Sequence, residues 1–123
     1  MQSTRFRGLN SSVPISTDSK ELADVSGREE VRGLLAGGLT TEVQPRADTH
    51  EEVTQIVARL RAAGGDLKAK LVIAGFTLEP IEHSGIEEAC ETCMYYVVHR
   101  RFCELPELNL PVEPQWSCRL WRI

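Results

Sequence analysis

Four cysteines and their spacing constrain this chain more than any other feature. Cys90, Cys93, Cys103 and Cys118 form the pattern C-x2-C-x9-C-x14-C, and no cysteine precedes them. One tight turn can aim both sulfurs of a C-x2-C pair at a single metal ion or at two corners of a cluster. The third and fourth thiols arrive singly, after longer spacers. Structural zinc modules more often use two close pairs. Cubane clusters accept single distant ligands readily, because their four irons present separate corners. On the residues alone, a [4Fe–4S] cluster and one zinc ion both remain open.

The surroundings of the cysteines add a second constraint. Tyr95, Tyr96, Phe102, Trp116 and Trp121, five of the seven aromatic residues, share their segment. Such rings either form an ordinary small core or keep water from a buried cluster. Arg100, Arg101, Arg119 and Arg122 flank the third and fourth thiols and would favour a more negative centre. Glu87, Glu88, Glu91 and Glu104 oppose them. His99 offers a further ligand or proton carrier, although an exposed histidine is the plainer reading.

Composition excludes several function classes. The net charge is −4, which gives no basic footprint for nucleic acid. No apolar run approaches the ~20 residues needed to cross a bilayer. Met1 to Ser19 is polar and lacks the apolar stretch of a secretory signal. The only adjacent arginines, Arg100 and Arg101, are internal. The expected location is therefore the cytoplasm, where structural disulfides are rare. No Gly-rich phosphate loop, nucleophile–base pair or marked carboxylate pair stands out, so the expectation is not an enzyme.

The expected fold is small α+β. Short N-terminal helices precede a largely irregular four-cysteine module with short strands. Three regions are expected: a flexible arm at 1–18, a helical region at 19–83, and the cysteine module at 84–123. Phe6, Leu9, Val13 and Ile15 could anchor the arm on a partner. Ser26 reads as the N-cap of a short helix, with Glu29 at the capping-box position and Gly37-Gly38 as its stop. Residues 39–46 read as extended. Thr49 with Glu52 repeats the capping box and opens the clearest helix. Its apolar face is Val53, Ile56, Val57, Leu60 and Ala63, and Gly64-Gly65 ends it. Asp66 caps a short helix ending at Gly75, with a buried strand as the alternative. Ser84-Gly85-Ile86-Glu87 repeats the capping-box pattern and predicts a turn of helix delivering Cys90. Three prolines, Pro106, Pro111 and Pro114, keep the last segment irregular.

The run Cys90-Glu-Thr-Cys93-Met-Tyr95-Tyr96, then Cys103, then Leu110-Pro111-Val112, then Trp116-Ser-Cys118-Arg-Leu-Trp121 resembles high-potential iron–sulfur proteins. It is also similar to the small iron–sulfur subunits of glycyl-radical enzymes. The resemblance covers residues 88–121 only. It implies one [4Fe–4S] cluster held by Cys90, Cys93, Cys103 and Cys118. It departs from the classical proteins in a shorter second spacer and in Ser117, which separates Trp116 from Cys118.

The function expected from these readings is an accessory or electron-transfer subunit. Its partner would be a larger protein, an oxidoreductase or radical enzyme, with no nucleic acid and no membrane involved. A free one-electron carrier and a zinc-stabilised interaction module without redox role are the alternatives. The chain is too short to cover both the cysteine module and the apolar face of the 50–63 helix generously, so part of that face is expected to meet the partner.

Overall fold

The computed structural model describes residues 15–123; most of the expected arm lies outside them. The described chain is small α+β, with three helices, two small antiparallel sheets and irregular segments between. The helices are α1 (Ile15–Ala36), α2 (His50–Ala63) and α3 (Leu67–Ala74).

The expected start at Ser26 is not where α1 begins. Ser26 lies well inside a 22-residue helix. The reason is an inverted face. Leu22 and Val25 point to solvent, at 67% and 51% exposure, while Asp24 and Arg28 are buried. Apolar periodicity therefore fails over this half, although the helix is firmly held. Arg100 grips Asp24 with two bonds, 2.8 and 3.1 Å. Arg28 donates through Nε to the Val112 carbonyl at 3.0 Å and through its Nη2 to the carbonyls of Arg100 and Arg101. Gly27 is no helix breaker here. A Cβ at that position would stand 2.9 Å from the Pro111 ring, so glycine lets α1 lie against the cysteine segment. The helix stops at Gly37-Gly38, as expected, with the Leu39 N–H closing on the Leu34 carbonyl.

The next two helices follow their capping signals. Thr49 accepts from the Glu52 N–H at 3.1 Å, and Glu52 accepts from the Thr49 N–H at 3.0 Å. Asp66 caps α3, and Gly75 ends it in the left-handed region at φ +66°. Gly75 also lets two segments touch: an added Cβ would stand 2.3 Å from the Glu42 carbonyl oxygen. Ile56 and Leu60 of α2 are buried with Leu71 and Ala74 of α3. The apolar face expected to meet a partner is thus largely covered by the chain itself.

Strands β1 (Ile81–His83) and β2 (Ile86–Glu88) form a hairpin, with His83 opposite Ile86. The predicted helical turn at Ser84 is absent. Ser84 and Gly85 both have positive φ, 53° and 78°, and make the two-residue turn of this hairpin. Glu87 sits across from Glu82 and caps nothing. The second sheet has the order β3 (Tyr96–Val97), β4 (Phe102–Cys103), β5 (Leu110–Pro111). Cys103 pairs with Tyr96 on one side and Leu110 on the other.

Residues 116–119 stitch the cysteine segment to the helices. The Trp116 carbonyl accepts from the Cys90 N–H at 2.6 Å. Thr77 and Ser117 exchange both backbone bonds, at 2.8 and 3.1 Å. The Arg119 N–H donates to Ala74, and its carbonyl accepts from Ala47. One hydrophobic core results. It runs from Val31, Ile56, Leu60 and Leu71 to Leu108, Val112, Trp116 and Leu120, and it includes Cys90 and Cys118.

Candidate metal centre

All four cysteines line one cavity. Phe76, Tyr96 and Trp121 complete its wall. Three local devices position the four thiols. Cys90 opens a 3-10 turn, Cys90–Thr92, and Cys93 closes it by donating its N–H to the Cys90 carbonyl at 3.0 Å. The predicted knuckle is therefore a 3-10 turn entered from a strand. Cys103 is fixed by the β3–β4–β5 register. Cys118 follows the Thr77–Ser117 bridge, so the alternation along this extended piece sets its side.

Trp121 ties the first and last of these devices together. Its indole N–H is shared between the Ala89 carbonyl and the Thr92 hydroxyl oxygen, each at 3.0 Å. Ala89 and Thr92 bracket the turn that carries Cys90.

The space between the sulfurs is small, about 20 Å³, where a single water needs roughly 10–15 Å³. Cys90 and Cys118 are buried, whereas Cys93 and Cys103 are half-buried. All four are free thiols. They surround a common space without meeting at a point. Among the described residues no three His, Cys, Asp or Glu side chains converge as the ligands of one ion do.

Burial governs the thiol chemistry. It pushes Cys90 far above the ordinary thiol range, and the neighbouring sulfurs of Cys118, Cys103 and Cys93 push the same way. Burial also raises Cys103, to about 11, against a backbone N–H bond from Leu105 that favours its thiolate. Cys118 is raised by burial and by Cys103. A backbone N–H bond from Leu120 and the positive charge of Arg46 pull it down. The pocket thus protects neutral thiols, while aiming donors and one cation at the sulfur positions. That set suits thiolates bound to a metal centre, whose negative charge needs N–H donors and a nearby cation.

Several expected neighbours stand elsewhere. Of the five aromatic residues in the cysteine segment, Tyr96 and Trp121 line the cavity. Trp116 is buried in the main core with Arg32 over its ring, and Phe102 is buried beneath Arg100. The third ring of the wall, Phe76, comes from just after α3 and carries no signal of this role in the sequence. Three of the four expected cations are also engaged away from the sulfurs, and the fourth, Arg122, is half-buried and lines a separate groove with Glu88 and Trp121. Arg100 holds Asp24, Arg101 holds Glu113, and Arg119 holds Glu42 and the Ile73 carbonyl. The cation beside Cys118 is Arg46, which no local pattern marks. Arg46 is buried against Glu88 and donates to the Cys118 carbonyl at 2.8 Å. His99 is exposed and lines a separate groove with Asp24 and Arg28. His83 faces Asp48 at 3.0 Å.

No helix among the described residues is long and apolar enough to cross a membrane. Comparison of the chain with protein-family models, with curated proteins and with solved structures returned no match.

Proposed function

We propose that this chain is a small [4Fe–4S] protein, an accessory or electron-transfer subunit of a larger cytoplasmic enzyme complex. The observation that carries the proposal is the shared cavity. Four thiols from three pieces of chain line one aromatic-walled cavity. Cys90, Cys93, Cys103 and Cys118 would each hold one corner. When bound, such a cluster supplies one-electron transfer or simply rigidity. The chain's own part is to exclude water with Phe76, Tyr96 and Trp121, and to offer N–H donors from Leu105 and Leu120.

Two thiols that arrive singly, after spacers of 9 and 14 residues, favour a cluster with separate corners over a structural zinc site, which more often uses two close pairs. Exposed apolar side chains support a partner. Met94 and Val98, at 60% and 76% exposure, lie close in sequence to half-buried Cys93, and Leu22 and Val25 stand out from α1. A free carrier is the second reading, because Met94 and Val98 beside the more accessible thiol also suit brief docking.

Anaerobic purification followed by metal analysis tests the reading. The expected protein is brown, absorbs broadly near ~400 nm and holds about four irons per chain. Cys103→Ser is expected to lose iron. A colourless protein with one zinc per chain, or a Cys103→Ser variant with full iron content, would sink it.

A further inference from the structure

The Arg46–Glu88 pair is the least explained feature beside the cavity. Arg46 lies in the irregular connection before α2, and its side chain is 2% exposed; that of Glu88 is 9% exposed. Nε and Nη2 of Arg46 both reach one Glu88 carboxylate oxygen, at 3.2 and 2.6 Å. Nη2 also donates to the Cys118 carbonyl at 2.8 Å, and Nη1 to the Val43 carbonyl at 3.4 Å. Ala47, the next residue, donates its N–H to the Arg119 carbonyl. The Arg46 segment therefore runs alongside the last ligand, and Glu88 stands two positions before the first.

Stability is a poor reason for such a pair. Withdrawing two charges from water costs several kcal/mol per ion, and apolar replacements of similar volume are often neutral or better. The pair is also asymmetric toward the cavity. Its positive member bonds the Cys118 backbone directly, whereas its negative member bonds no cysteine residue. Of the other arginines near the cysteines, Arg100, Arg101 and Arg119 are bound to Asp24, Glu113 and Glu42, and Arg122 is half-buried beside Trp121 without lining the cavity.

We infer that Arg46 is the fixed cation that sets the reduction potential of the centre, with Glu88 as the counter-ion that orients it and moderates its field. The inference rests on the cluster reading above. Reduction adds one negative charge to the centre, and a neighbouring guanidinium stabilises that state. A guanidinium does not lose its proton in proteins, so the bias is the same at every working pH. Arg46 is a positioning and tuning residue in this account, since it touches the ligand's backbone rather than a reacting atom.

The test uses the full chain, loaded and purified without oxygen, with iron content measured before anything else. Potentials are then read by spectroscopically monitored titration, and thermal midpoints are read in parallel. Arg46→Gln is expected to shift the reduced-to-oxidised ratio about tenfold toward the oxidised form, which is 59 mV for one electron. Arg46→Lys keeps the charge but loses the fork. It is expected to stay near the parent potential even where its thermal midpoint falls. Glu88→Gln leaves the cation without its counter-ion, and its potential is expected to rise. A structural cross-link would lower the thermal midpoint in all three and leave the potentials together. That result overturns the inference. If Arg46→Gln takes up no iron, Glu88→Gln decides: an unchanged or lowered potential there also overturns it. A parent protein without iron defeats the cluster reading itself, and this inference falls with it.

Discussion

Trp121 offers the sharpest separation of wall from anchor, because two substitutions remove its two contributions in turn. Trp121→Phe keeps a ring against the cavity but deletes the indole N–H that reaches Ala89 and Thr92. The Ala89 carbonyl is not orphaned, since the Thr92 hydroxyl also donates to it at 3.0 Å. The loss is then the net value of one hydrogen bond, about 1 kcal/mol. With an unfolding entropy of ~2.1 cal/mol/K per residue over 123 residues, that lowers Tm by about 4 °C. Trp121→Ala removes the ring as well. Truncating a buried aromatic costs roughly 3–5 kcal/mol, and a ring with one edge in solvent belongs at the low end, so Tm falls by about 12 °C.

The functional readout is bleaching of the visible band in air. The phenylalanine variant is expected to bleach within about twofold of the parent rate, because the cavity stays closed. The alanine variant is expected to bleach several-fold faster, because water and oxygen gain a path between Cys90 and Cys118. Equal bleaching of both variants and the parent would refute the shielding argument, whatever happened to Tm. Equal and fast bleaching of both variants would move the role from the ring to its hydrogen bond.

Two further outcomes follow from backbone and thiol geometry. Gly75→Ala must place a Cβ 2.3 Å from the Glu42 carbonyl oxygen at φ +66°, so left-handed strain and overpacking together are expected to cost more than ~3 kcal/mol. Gly85→Ala, at φ +78° with open space around it, is expected to cost only about 1 kcal/mol, and thermal melts that rank the two alike would contradict this contact. In metal-free protein the buried thiols make stability pH-dependent on the alkaline side. Unfolded thiols ionise near ~8.5. The folded ones ionise higher, Cys103 at about 11, so their contribution is complete below the first value and is lost as pH rises through the second. Melts between about pH 8 and pH 11 should show that decline, and Cys90→Ser/Cys118→Ser, whose hydroxyls do not ionise, should flatten it.

What was legible in the sequence was local. The capping box at Thr49 and Glu52 and the Asp66 cap with its Gly75 stop lie within a few residues of what they control, and α2 and α3 obey them. The cysteines could be grouped because their chemistry is rare enough to stand out at any spacing. Three things were not legible, two for long-range reasons and one because a local pairing competes with the helix signal. The first half of α1 buries Asp24 and Arg28 because their partners, Arg100 and the carbonyls near Val112, lie more than seventy residues away. Ser84-Gly85 followed by Glu87 matches a helix start by spelling. Pairing of Ile81–His83 with Ile86–Glu88 turns the same residues into a hairpin. Phe76 reaches the cavity, and Arg46 the Cys118 carbonyl, only once the chain has folded back on itself, so neither carries a local mark.

The short run Trp116–Arg119 also has a consequence in time. Beyond two local turns, its backbone bonds go to Ala47, Ala74, Thr77 and Cys90, all distant along the chain. Helices form within about a microsecond, whereas pairings between remote segments wait on slow loop closure. During biosynthesis Cys90, Cys93 and Cys103 therefore spend an interval without the roof that Cys118 and Trp121 complete. Thiols in that interval are open to oxidants. On the cluster reading proposed above, the order of closure would set how long the nascent protein stays loadable, and how long it stays vulnerable.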